Sequence, residues 1–593
     1  PSERDAGPER PSERDAGPER PSERDAGPER PSERDAGALE VEVVPDETYA
    51  TAHAAATRAI LNHPRLRQHF PAGDLWLVGF DVVDKDDGDG PRFATLVHDT
   101  TTGRAARVQG WLDDPESSQI FPIAHQWPPS EDEHAWALSI LADDPEMAAL
   151  LEPEGAYAYR PMPPLVNIEN ADGSVDRVIA VGLRTPGGDG EGGRHRIVGV
   201  RTFDAEIIRE PPGVVTPSSV DCGPPPGPAC PLVAGEREAR LRVRRGDTVL
   251  WDLVVVRPSA SSGTNGSGVE LRTVDYKGQR VLSRAHVPIL NVAYDDAGAA
   301  AGCGPTYRDW QHEESCFTAE GTDPVAGFRM CTTPPQTILE SQVDGGNFRG
   351  VALWLDGDEL VIVSQLQAGW YRYVSEWRLA ADGTIRPRFG FAATQNPCTC
   401  HVHHHHAYWR FDFDILEPES NVIQEYNDPP VVETANWHTV RLEVRRDRSA
   451  EHGRYWRVRN TRASQGYAIR PGPGDGTADQ YGAGDVWILR YDPNEVDDGQ
   501  GFTTDPLLSR ANLDRMVSGE SVERQDLVVW YGAHFRHDGE HETDTPGHRV
   551  GPDLVPYQWK EASLAPPPYA NLAPPTDEEL KPPPPRKEPP RGS

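Results

Sequence analysis

The sequence predicts a mainly β protein: a large antiparallel β-sandwich domain preceded by two small α+β, cystatin-like domains. Three observations carry this. From about residue 235 to 565 one strand-like segment follows another, separated by Gly/Asp turns. Residues 39 to about 215 hold a loose duplication in which a helical segment is followed by strands, twice. Both ends of the chain lack the apolar residues a core needs.

Residues 1–38 are decapeptide repeats of Pro-Ser-Glu-Arg-Asp-Ala-Gly-Pro-Glu-Arg, apolar only in alanine, and predict a disordered tail. The first small domain, 39–125, contains a helix over Tyr49–Leu61, ending at Asn62-His63-Pro64. Strands follow over Leu75–Phe80, Phe93–Val97 and Ala105–Trp111. The second, 126–215, has a helix over Glu131–Leu141 that stops at Asp143-Asp144-Pro145, then strands over Val178–Gly182 and Arg196–Arg201. Neither shows a catalytic constellation, so both are read as positioning or dimerising units. A Pro/Gly linker, Pro211–Pro231, leads into the large domain, 216–565. Its strands include Ala239–Val243, Thr248–Val256, Leu360–Arg378, Thr439–Val444, Val486–Tyr491 and Asp526–Tyr531. Residues 566–593 are Pro-rich and predict a second disordered tail.

Charge and cysteine content set further bounds. A formal net charge of −35 and a pI near 4.9 disfavour nucleic acid as a partner and mildly favour small cations such as amines. Seven cysteines leave at least one unpaired in a monomer, and Cys222 and Cys230 bracket a loop that a local disulfide would close. No apolar run reaches transmembrane length, so no membrane partner is expected. The compartment stays open between soluble alternatives, secreted or periplasmic among them.

Chemistry enters at Cys398 to Ile415. Read as a strand, its alternate residues share a face. One face is His401, His403, His405, Ala407, Trp409, Phe411, Phe413 and Ile415; the other is His404, His406, Tyr408, Arg410, Asp412 and Asp414. The strand should be half buried, with its odd-numbered imidazoles inward. Two imidazoles two residues apart on a dry face suit one ion of copper, zinc, iron or nickel, not calcium or magnesium. From Asp526 to His537 the odd positions again form an apolar face closed by an imidazole, which makes His537 a third ligand and His534, on the other face, the weaker choice. Three imidazoles leave a coordination position open, as a catalytic metal requires. Between Val361 and Ile385, Asp382-Gly383 reads as a hairpin turn, and Tyr371 and Tyr373 share one strand face.

These motifs together resemble the copper amine oxidases. Gly369-Trp370-Tyr371-Arg372-Tyr373 with Trp377 and Asp382-Gly-Thr-Ile385 resembles the strand on which that family carries its quinone-forming tyrosine. His403-x-His405 with Arg410-x-Asp412-x-Asp414 is similar to the family's His-x-His-x4-Arg-x-Asp-x-Asp signature. Val528-Val-Trp530 with His537 is similar to its third copper segment; Trp487–Tyr491 and Tyr276–Leu282 fall in the expected order. The resemblance covers roughly residues 45–560. It implies copper on His403, His405 and His537, and topaquinone derived from Tyr371. It also implies a calcium site that includes Asp412 and Asp414, and a homodimer. The implied reaction is oxidative deamination of a primary amine by dioxygen, releasing aldehyde, ammonia and hydrogen peroxide.

The departures fall around the tyrosine. The family's Asn before it is Trp370 and the acidic residue after it is Arg372. Counting from Trp310-Gln311 puts Ser315 at the base position, with Glu313 and Glu314 beside it and Asp309 upstream as the candidate carboxylates. The family's closing Asp-Arg-Asn-Pro is replaced by Pro556-Tyr-Gln-Trp559. Two alternatives therefore stand beside the oxidase. One is a copper-binding homologue without topaquinone, inactive or performing another copper/dioxygen oxidation. The other is a structural protein on the same scaffold.

Overall fold

β-Branched and aromatic residues alternating with arginine and acidic side chains build two large sheets whose apolar faces need each other. The computed structural model describes residues 37–560 except 47–49, 72, 74, 84–91, 100–103, 124–127, 172–174, 188–192, 217–220, 229, 231–234, 433, 473, 477–484, 500–505 and 538–548. The repeats, but for their last two residues, and the Pro-rich tail lie outside the described residues.

Among the described residues one sheet has ten strands. At its middle the long strand Gln279–Tyr294 pairs with His403–Phe413, which pairs with Leu527–His537, which pairs with Val486–Arg490. The other sheet has twelve strands, with the hairpin Glu359–Ala368, Tyr371–Ala380 and Ile385–Ala393 at its centre. The two inner faces share one core, in which Trp251, Phe411 and Phe413 of the first meet Tyr371, Tyr373, Trp377 and Phe389 of the second. Two indoles are satisfied across the sandwich: Trp251 Nε1 donates to Ala380 O at 2.9 Å and Trp377 Nε1 to Val269 O at 2.9 Å.

Ahead of these sheets a four-stranded sheet, Leu75–Val83 to Gln119–Ile123, packs with helix Ala50–Leu61. A five-stranded sheet around Val175–Thr185 packs with helix Glu131–Asp143, whose N-terminus Ser130 and Glu133 close reciprocally as a capping box. Both helical segments continue past the predicted stop. Pro64 and Pro145 each open a further helix, Pro64–His69 and Pro145–Leu151, because proline at the first position loses no hydrogen bond. No helix among the described residues is long and apolar enough to cross a membrane.

Several expectations are corrected. Leu39–Pro45, placed by sequence in the first small domain, pairs with Glu238–Arg245 at the edge of the ten-stranded sheet. Leu360–Arg378 is two strands, reversed at Gly369-Trp370, where Ala368 faces Tyr371 and Gly369 takes φ +57°. Thr439–Val444 is also divided: Trp437–Val440 belongs to one large sheet and Val444–Arg446 to the other. The histidine strand begins only at His403, after a 3₁₀ turn at Pro397–Cys400, so His401 stands outside it. Nor is that strand half buried. Its even-numbered face is covered as well, with Tyr408 packed among Ile289, Trp487, Leu513 and Trp530.

The cysteines pair over long distances. Cys222 joins Cys400, Cys230 joins Cys316 and Cys303 joins Cys398, which leaves Cys331 as the buried free thiol. The local Cys222–Cys230 bond is not made, because the two cysteines reach different partners. Two of the three disulfides anchor the turn just ahead of His403.

Candidate metal centre and active site

Strand pairing assembles the site. His403–Phe413 and Leu527–His537 run antiparallel in one register, with His403 opposite His537 and His405 opposite Phe535. Alternation then puts His403, His405 and His537 on the inner face, toward Tyr371 and Tyr373 of the facing sheet. The ring centres of His403 and His405 are 5.0 Å apart, and those of His403 and His537 4.9 Å. With nitrogen about 2.0 Å from a bound ion and the ring centre roughly 1.1 Å further, two imidazoles at tetrahedral-like angles have centres about 5 Å apart. The two measured separations match that spacing, and imidazole nitrogen suits copper or zinc. Tyr371 sits over the group, 5.5 Å from His403 and 5.0 Å from His405 between ring centres. Phe391 closes one side, 3.6 Å from His405 and 4.8 Å from His537.

The imidazoles are oriented by what their Nδ1 atoms meet. His403 Nδ1 lies 2.7 Å from His401 O, a carbonyl, so this nitrogen is the donor and the lone pair is on Nε2. His405 Nδ1 lies 3.2 Å from Tyr373 Oη, whose proton goes to Asp309 Oδ2 in a short hydrogen bond; His405 again donates through Nδ1. Burial, and then its imidazole neighbours, hold the pKa of His405 well below the ordinary value, so it stays neutral as a ligand must.

Tyr371 is fully buried. Its hydroxyl shares a short hydrogen bond with Tyr294, and Trp370 Nε1 donates to Tyr294 Oη at 3.2 Å. Tyr294 comes from the end of the long strand, opposite His403. Sequence reading passed it over; its signal was its place at the end of an apolar strand, which is ambiguous without the pairing.

No family model matches this sequence, and no curated protein matches it. Solved structures do. A copper-containing benzylamine oxidase from Hansenula polymorpha superposes over 87% of this chain and 97% of its own, with a TM-score of 0.57 at 13% identity. A lysyl oxidase from Pichia pastoris does so over 87% and 89%, with a TM-score of 0.51 at 12% identity. The fold is that of the copper amine oxidases.

Within this amine oxidase fold the three candidate carboxylates divide. Asp309 is fully buried against Tyr373, and burial pushes its pKa up to about 8. Its Oδ1 has no hydrogen-bond partner among the described residues. Glu313 is bound by Arg160 and by Trp310 Nε1 at 3.0 Å. Glu314 is gripped by Arg257, with Nε at 3.0 Å, and by Ser259 Oγ at 3.1 Å. Both glutamates line a cavity of about 350 Å³ that also reaches Trp370. Arg372, in place of an acid, pairs with Asp344 at 2.8 Å.

Asp412 and Asp414 lie together with Asp526, their carboxylate oxygens within 4.8 Å of one another. An all-oxygen trio suits a hard cation such as calcium. Asp526 was missed in the sequence, although Phe413 pairs with Leu527 and so brings Asp526 beside Asp414.

Proposed function

We propose that this chain is a copper-dependent oxidase of primary amines, converting amine, dioxygen and water to aldehyde, ammonia and hydrogen peroxide. The observation that carries the reading is the meeting of His403, His405 and His537 with the Tyr371 ring 5.0 to 5.5 Å from two of them. His403, His405 and His537 hold the copper, and Tyr371 is the precursor of topaquinone. When bound, the copper and the quinone supply the oxidation of the amine and the return of its electrons to dioxygen.

The chain's own residues bind, orient and move protons. Asp309 is the base: Oδ1 takes the proton from the carbon next to the substrate nitrogen, while Oδ2 is held by Tyr373. Tyr373 also fixes His405, so one phenol sets both the base and a metal ligand. Tyr294 and Trp370 hold the Tyr371 end, and Trp370 forms the wall between it and the cavity through which we route the amine. Glu313 and Glu314, committed to arginines, shape that cavity. Asp412, Asp414 and Asp526 hold calcium. The disulfides fit an oxidising compartment outside the cytosol, and a homodimer is the expected assembly.

A copper-binding homologue that keeps Tyr371 as tyrosine is favoured by one observation. The ring is boxed by Trp370, Tyr373 and Phe391 at 5.8 to 6.0 Å as well as by the two imidazoles. One spectrum separates the two. Copper-loaded protein held in air should develop a visible quinone band, and a hydrazine should label the peptide containing Tyr371. The band should be absent in Tyr371→Phe. Colourless, hydrazine-inert protein that still binds one copper would leave the second reading.

A further inference from the structure

The reverse face of the same two strands carries a second set of imidazoles, and the oxidase reading has no use for it. His406 and His534 face each other there, in register, 0% and 3% exposed. Their Nδ1 atoms are 2.8 Å apart, and His534 Nε2 lies 3.2 Å from Asp485 Oδ1. The two imidazoles share one hydrogen bond through their Nδ1 atoms, and the Asp485 carboxylate stands beside His534 Nε2 at ion-pair distance.

This pair sits where the closing strand loses a neighbour. Val486–Arg490 flanks Leu527–His537 only as far as Tyr531, opposite Val486. Past that point the outer edge is held by two aspartates: Gly532 N donates to Asp485 O at 2.7 Å and His534 N to Asp475 O at 2.8 Å. Their carboxylates are anchored in turn. Asp485 accepts from Arg448 N at 2.8 Å and from its Nη2 at 3.1 Å. Asp475 accepts from Tyr531 Oη, from Gly472 N at 2.8 Å and from Gly551 N at 2.7 Å. Among the described residues no strand flanks this end on its outer side, where such ends open most easily, and His537 is the strand's last residue.

We propose that Asp485, His534 and His406 form a brace that sets His537 against His403 and His405, so that the three inner imidazoles stand as one rigid group. His534 and Asp485 are thereby positioning residues for the metal. The inference rests on the copper reading above. It adds that the affinity of the inner face is written partly on the outer one, by side chains that never touch the ion.

The test is calorimetric titration of the full-length apo-protein with copper(II), with the paramagnetic resonance spectrum of each complex. Wild type should bind one tight copper at the inner face, in addition to any oxygen-ligated ion. His534→Ala should bind it about 10-fold more weakly, the lower end of what losing a group that orients a ligand costs, with altered hyperfine splitting. Asp485→Asn should shift both in the same direction by less, and His534→Gln, which can still bridge, should recover most of the affinity. If the alanine variant does not fold, Asp485→Asn and His534→Gln carry the comparison. Unchanged affinity and an unchanged spectrum in folded variants overturn the brace and leave the copper reading standing. A second tight copper in wild type that is lost in His406→Ala also overturns it, since the pair would then be ligands. Wild type without any tight copper removes both.

Discussion

The core around Asp309 and the cavity wall at Glu313 and Glu314 hold carboxylates only a few residues apart in the chain, in opposite surroundings. Each glutamate meets a guanidinium and is neutralised on the spot. Asp309 is buried with a phenol for company and a pKa near 8. The lesson is that burial, where no ion pair offsets it, raises a carboxyl group's hold on its proton.

The comparison breaks most visibly in turnover. Asp309→Asn should cut kcat by about 10²- to 10⁴-fold, the usual worth of a positioned base, with hydrazine labelling of Tyr371 retained. Full activity in that variant would end the assignment. The same change should raise the melting temperature at neutral pH. The folded-state pKa of Asp309 lies above its unfolded value, so the folded protein holds that proton more tightly and loses stability as pH climbs from the ordinary carboxylate range to about 8. Glu314→Ala tests the other region. It strands Arg257 in the interior and should cost about 3–5 kcal/mol of unfolding free energy in chemical denaturation, while turnover per folded molecule changes little.

Smaller effects sharpen the contrast. The pH profile of kcat/KM should rise about tenfold per unit toward pH 8 and then level, as expected of a base that must be ionised. A limb near pH 4 would instead point to a carboxylate with ordinary surroundings. Asp526→Asn, in the third arrangement, should lose the stabilisation that calcium gives, about 2.7 kcal/mol at a hundredfold excess over Kd, with turnover retained. Calcium-dependent melting of wild type, absent in the variant, checks it.

How much of this was legible depended on whether the information was local. The histidine strand, the His537 segment and the tyrosine hairpin all carry a period of two, and that alone placed the imidazoles on one face. What was lost lay in pairings. Tyr294 became a neighbour of Tyr371 only when the long strand was set beside the histidine strand, and Asp526 joined Asp414 by the same register. Asp309, Glu313 and Glu314 could not be told apart in the sequence, because spacing from Trp310 says nothing about which carboxylate has an arginine waiting for it. Burial of the even-numbered face was hidden for a related reason: it is covered by residues such as Leu513, far along the chain.

The register of His403 against His537 has a consequence for how such a chain can drift. What the pocket requires of the 130-odd residues between those two histidines is an even-odd address at either end, not any particular wording in the middle. Whole loops can lengthen, shorten or be rewritten there without moving the three imidazoles. One residue inserted inside either strand would turn the histidine side chains to the wrong side of the sheet. Spelling is cheap here and parity is dear, which is how two proteins with about one residue in eight in common can keep one architecture.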